Sequence, residues 1–143
     1  MPLTLTVQAD CKINTLQRVV DQAALDVQNN PALLRRLLTP EERQTTEKMR
    51  ALNMGKAIER RVDELIAADP ELHGVFPQRQ VTYRDGAGEA RGYIDWVDNQ
   101  GAYYDATTLG LEQPHLDRPY GRRLGIAIWR GNGGESWTNS HWG

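Results

Sequence analysis

Cysteine is almost missing from this chain. Cys11 stands alone among 143 residues, which excludes an internal disulfide and any cysteine-based zinc cluster and suits a reducing compartment. Lysine is nearly as scarce, with Lys12, Lys48 and Lys56 the whole supply. No apolar run approaches the roughly 18 residues of a membrane span, and the N-terminus lacks a basic segment followed by an apolar core. No membrane contact and no signal peptide are therefore expected, and passage across a membrane would need a larger carrier. An excess of positive charge is missing too, because the net charge is -2 and the pI is near 5.9. Nucleic-acid binding would have to rely on a local patch. The charge is in fact uneven: residues 115–143 carry Arg118, Arg122, Arg123 and Arg130 against Asp117 and Glu135, while residues 1–114 carry 13 basic against 17 acidic side chains.

What is present reads as helices followed by strands, in one domain without internal repeats or low-complexity segments. In "INTLQRVVDQAALDVQ", Leu16, Val19, Val20, Ala23, Ala24 and Val27 recur at helical spacing. "PALLRRLL" predicts a short helix. A long one is expected to open at Thr39 as cap, with Pro40 at its first position, to carry the stripe Ala51, Met54, Ile58, Val62 and Leu65, and to end at Pro70. From residue 79 the period becomes two, in "RQVTYRD", "GYIDWVD", "AYYDATT" and "LGIAIWR". Between the last two, Pro114 and Pro119 permit only a short helix or a loop. The tail, 131–143, holds Trp137 and Trp142 among glycines and serines and is expected to be a loop with a mobile end.

The segment "GYIDWVDNQGAYYDATT" poses a problem, because Asp is among the least favoured residues in strands. If Asn99, Gln100 and Gly101 form a three-residue loop ending in a left-handed glycine, Asp98 pairs with Ala102 and Asp95 falls opposite Asp105. Alternation then places Tyr93 and Val97 on Asp95's face and Thr107 on that of Asp105. Like charges on directly opposed residues repel. A hard divalent cation held by carboxylate oxygens would remove the repulsion. The alternative is two solvent-facing acids on an edge hairpin. A third acid, Glu59, follows Gly55 by one turn in "GKAIERRVDELI" and shares a side with Leu52, Val62 and Ile66. It borders the buried stripe, and Gly55 would let a strand approach; the alternative is a surface Glu paired with Lys56 or Arg60.

Taken in order, a helix with G-x-x-x-E (Gly55 to Glu59), a strand, a strand with central Asp95, a hairpin into D-x-T (Asp105 to Thr107), a connecting segment and a last apolar strand resemble the PD-(D/E)XK restriction-endonuclease-like superfamily over roughly residues 45 to 130. The resemblance implies an α+β (α/β) fold: a helical extension, 1–44, an αβββαβ core with a mixed four-stranded sheet, 45–130, and the tail, 131–143. It implies that Glu59, Asp95 and Asp105 hold Mg²⁺ or Mn²⁺. Thr107 stands where the family carries a lysine that orients the attacking water. Threonine brings no positive charge, and the resemblance, in which that lysine can move onto the helix, implies Lys56 as its replacement among the catalytic residues.

The "YDATT" ending is also similar to C-terminal nuclease domains of bacterial polymorphic toxins, which travel on a larger delivery protein, act in the cytoplasm of a rival cell and are neutralised by a cognate immunity protein. The implied activity is metal-dependent hydrolysis of DNA or of tRNA or other RNA. Phosphate grip would come from Arg118, Arg122 and Arg123, with Arg91 and His115 as further substrate-binding candidates. Two other readings stay open: a metal-independent ribonuclease using His115, His141 and the arginines, and an inactive nuclease-like interaction domain.

Overall fold

The structure is a computed structural model that describes residues 12–44, 49–107, 112–121, 124–128 and 138–140. Cys11, Lys48, Arg122, Arg123, Trp129, Arg130, Trp137, His141 and Trp142 lie outside the described residues. Helix α1 (Lys12–Asn29) buries the stripe that its spacing marks, Leu16 through Val27, almost completely. Each leucine or valine so buried contributes about 1.5–3 kcal/mol. Helix α2 (Pro31–Leu37) follows at once, capped by the Asn30 side chain and started by Pro31.

The long helix expected from Thr39 to Pro70 is divided. Thr39 and Glu42 form a reciprocal capping box that starts only a four-residue helix, α3 (Pro40–Arg43), and the main helix, α4 (Arg50–Ala68), begins later. The division has a physical cause in Glu42, whose carboxylate accepts from Arg60 at 2.6 and 3.1 Å, and whose carbonyl accepts from Asn53. These bonds tie α3 to the side of α4 that carries Asn53 and Arg60. The Arg60 guanidinium draws the Glu42 carboxyl down to about 2. Asp69 ends α4 and caps a further short helix, α5 (Pro70–Val75).

The strands fall where period two places them: β1 (Gln78–Arg84), β2 (Ala90–Val97), β3 (Tyr103–Thr107) and β4 (Leu124–Ile128). They form an α+β fold with a mixed sheet, β1 to β3 antiparallel and β4 parallel to β3. A parallel neighbour requires a crossover, and here it carries α6 (Glu112–Leu116), a single short helix around Pro114. Arg91 falls within β2, not before it. The tail corrects the expectation of a loop, since β5 (Thr138–Ser140) pairs with Gly125–Ala127 and gives the sheet a fifth strand. That pairing covers an edge of β4 that would otherwise expose its backbone groups.

Two apolar clusters follow. One joins α1, α4 and α5 to Phe76, Trp96 and Tyr104, and the other joins Ile94, Val97, Tyr120 and Leu124. A buried polar tie connects the helices to the β2–β3 turn: Lys12 Nζ reaches Asn99 Oδ1 at 2.7 Å, Gln100 Oε1 at 3.0 Å and Asp98 Oδ2 at 3.4 Å. Tyr104 donates to the same Asp98 oxygen at 2.8 Å. No helix among the described residues is long and apolar enough to cross a membrane.

Removing one partner of a buried ion pair leaves the other uncompensated. Lys12→Met is accordingly expected to lower stability in urea by about 3 kcal/mol. A loss below about 0.5 kcal/mol would mean that the other donors to Asp98 suffice.

Candidate active site

The β2–β3 turn decides the geometry. Asp98 N–H donates to Ala102 O at 2.9 Å, Gly101 takes φ 81°, and the ladder pairs Trp96 with Tyr104 and Val97 with Tyr103. Continued by one residue, that register brings Asp95 to Asp105, and the two carboxyls hydrogen-bond to each other. Both are buried. Asp95 Oδ2 also accepts from Ala106 N–H at 3.0 Å, which takes the place of a regular ladder bond.

Strict alternation breaks at this point. Ile94 and Val97, three residues apart, join the same cluster. Across the β1–β2 ladder Gln80 takes φ 50° and donates to Asp95 Oδ1 at 3.4 Å. A non-glycine residue with positive φ stores strain that persists only where its surroundings enforce it. Gln80 carries no sequence signal, since only the fold shows that it faces an acid.

Helix α4 supplies Glu59, which interacts with Asp95 and, through charge, with Asp105. The connection after β3 supplies His115 and Arg118: His115 Nδ1 lies 2.5 Å from Asp105 Oδ2, and Arg118 Nη1 donates to the same oxygen at 3.1 Å. Arg118 Nη1 also donates to the Tyr120 hydroxyl at 3.0 Å. That hydroxyl lies over Gly92, where an added Cβ would stand 3.1 Å from it and φ is 153°. Glycine is the residue that meets both demands. In the sequence Tyr120 is one aromatic two residues after Arg118, and only the fold shows it over Gly92.

The three acids, Arg91, His115 and Arg118 line one open cleft of about 460 Å³. Arg91 is half-exposed there, its Nε held by Asp85 at 2.7 Å. Lys56 and Thr107 line a different cavity, of about 270 Å³, which meets the cleft at Glu59 and Ala106. Lys56 Nζ pairs with Glu42 at 3.4 Å. Two expectations about α4 are corrected: Leu52 is exposed, not part of the buried face, and among the described residues no atom outside its own helix comes within 4 Å of a Cβ built on Gly55. Among the described residues no strand approaches Gly55, which lines the smaller cavity.

Burial and mutual repulsion control the protonation of the cleft. Burial first, then Asp95 and Asp63, push Glu59 up to about 8, with Arg60 opposing. Asp95 is raised well above the usual carboxylate range by burial and by its neighbour Asp105. Burial raises Asp105 as well, against the bond from Asp95 and the charge of Arg118. Glu59 thus favours its protonated form at neutral pH, and a hydrogen bond joins Asp95 to Asp105.

Among the described residues, no group of three or more His, Cys, Asp or Glu stands in an arrangement that could hold a metal ion as the side chains lie. The chemistry of the donor set nevertheless suits a hard cation: two buried Asp and one Glu offer only oxygen, and among the described residues Arg118 is the one arginine paired with these acids, too little charge for three carboxylates on deprotonation. Glu59, Asp95 and Asp105 are therefore the residues that would hold Mg²⁺ or Mn²⁺.

The raised Glu59 carboxyl has a stability consequence. Its native state binds a proton that the unfolded chain has released above about 4.5, so stability falls as pH rises from there through about 8. Glu59→Gln should match the wild type near pH 4 and exceed it at pH 8.5 by on the order of 2–4 kcal/mol. Parallel stability-against-pH curves for the two proteins would contradict this burial. Gly55→Ala, whose methyl enters open space, should gain about 0.5–1 kcal/mol in thermal or urea unfolding. A loss would show that something packs on Gly55. Comparison of the chain with family models, with curated proteins and with solved structures finds no match.

Proposed function

We propose that the cleft hydrolyses phosphodiester bonds of nucleic acid with the help of Mg²⁺ or Mn²⁺. The observation that carries this reading is the convergence of Glu59, Asp95 and Asp105, from α4, β2 and β3, in one cleft rimmed by Arg91 and Arg118. Buried acids brought together against their own repulsion are costly unless a cation uses them. When bound, the ion supplies positive charge to the phosphoryl oxygens and the acidity that readies water for attack.

The chain's own groups do the rest. Arg91 and Arg118 hold the anionic strand by its phosphates, which is the sequence-independent part of nucleic-acid affinity. Asp105 is kept in place by His115 and Arg118. Water attacks phosphorus and loses a proton to the solvent, the bond from phosphorus to the leaving oxygen breaks, and His115 delivers a proton to that oxygen and is reprotonated from solvent; imidazole is the side chain that exchanges protons most readily near neutral pH. Thr107 has no charge to replace the lysine of the resembled superfamily, and Lys56 could serve only by leaving Glu42. The same resemblance extends the proposal to an antibacterial toxin domain that reaches a rival cell's cytoplasm on a delivery protein. A cognate immunity protein would then block this cleft.

A second reading draws on a specific contact. His115, Asp105 and Arg118 form a compact acid–base group with a cation beside it, which could cleave RNA through its 2′-hydroxyl without metal, with His115 as the base.

Incubation of the pure protein with plasmid DNA and total tRNA, in Mg²⁺ or in EDTA, separates the two. The metal reading predicts cleavage that EDTA abolishes and that Asp95→Asn or Asp105→Asn lowers by about 10²–10³-fold. Cleavage of tRNA that persists in EDTA and is lost in His115→Ala would overturn it in favour of the second. Lys56→Ala tests the replacement of the lysine: a rate like the wild type's would exclude Lys56 from the chemistry.

A further inference from the structure

The smaller cavity has a composition unlike that of the cleft it joins. Its walls are mostly apolar, with Val20, Ile58, Val62 and Trp96 among them and exposed Leu52 at the rim. Polar atoms enter from Lys56 and Thr107 at the side toward Glu59. At about 270 Å³ it falls just below the roughly 300–1,000 Å³ of pockets for drug-sized ligands, so it suits a single flat ring system. Because it shares Glu59 and Ala106 with the cleft, a group seated in it would be attached close to whatever lies against the acids. Tyr93, 65 % exposed, lines the cleft together with Arg91 but not the smaller cavity.

A phosphate site that adjoins an apolar pocket and carries an exposed aromatic residue in its lining does not fit a duplex. Paired bases stay stacked inside the helix and offer only backbone to such a site. An unpaired strand turns its bases outward, and aromatic side chains bind them by stacking, with little regard to sequence. We propose that the substrate is an unpaired nucleic-acid strand, with one base beside the scissile phosphate seated in the pocket between α4 and β3 and the base beyond that phosphate stacked on Tyr93. This rests on the phosphodiesterase reading. In it, Lys56 and Thr107 read the edge of the seated base, which gives Thr107 a use where a catalytic lysine is missing.

Cleavage rates in Mg²⁺ and in Mn²⁺ on short single-stranded DNA, single-stranded RNA and the corresponding duplexes provide the test, with Gly55→Leu and Tyr93→Ala beside the wild type. Gly55→Leu places a side chain into the pocket from a position whose Cβ meets no described atom within 4 Å, and its thermal midpoint, measured alongside, separates pocket filling from loss of the fold. Expected is kcat/KM at least about tenfold higher on one of the unpaired strands than on its duplex. DNA and RNA arms tell which sugar is accepted. Gly55→Leu should lower kcat/KM on that strand about tenfold at undiminished thermal midpoint, and Tyr93→Ala should raise KM by a similar factor with little change in kcat. Equal cleavage of strand and duplex, or wild-type rates in both variants, overturns this inference and leaves phosphodiester hydrolysis standing. No cleavage of any of the four substrates overturns both.

Discussion

Two aspartates on neighbouring strands, buried and hydrogen-bonded to each other, set the terms for the rest of this molecule. A buried carboxylate without compensation costs several kcal/mol, and Asp95 and Asp105 face that cost together. The fold compensates in parts. A hydrogen bond joins the pair, the Ala106 N–H satisfies Asp95, and His115 and Arg118 converge on one oxygen of Asp105. Glu59 adds a third acid where a design for stability alone would place an apolar side chain.

Holding such a group requires rigid support on both sides. Behind it, the cluster of α1, α4, Trp96 and Tyr104 fixes α4 against the sheet, and the Lys12–Asp98 tie fixes the turn that sets the β2–β3 register. In front of it, Tyr120 packs over Gly92 and steadies Arg118. The strain at Gln80 lies directly across β1 from Asp95. Packing, turn and strain therefore serve one place, which is the pattern expected where structure has been shaped around a site.

Much of this was legible in the residues. Helical spacing gave the buried face of α1, period two gave the strands β1 to β4, and Gly101 after Asn99 and Gln100 gave the turn and with it the meeting of Asp95 and Asp105. What was not legible depends on contacts between distant segments. Glu42 reaching Arg60 divides the long helix, and nothing in either residue's neighbourhood announces it. The strand Thr138–Ser140 forms because β4 offers an edge, though its own sequence reads as loop. Gly55 faces a cavity, not a strand, because the sheet passes at Glu59 and Ala106. Gln80 and Tyr120 gain their roles only from the chain's return to the cleft.

The central proposal is that Glu59, Asp95 and Asp105, whose carboxyls burial pushes upward, take up a divalent cation. Metal binding to groups that hold protons releases them. Calorimetric titration of the protein with Mn²⁺ at pH 7, repeated in two buffers of different ionisation enthalpy, measures both events at once. The account predicts saturable binding at one or two ions per chain, with about one proton or more released per ion, and loss of that binding in Asp95→Asn. Absence of saturable heat, or binding that Asp95→Asn leaves unchanged, would contradict it.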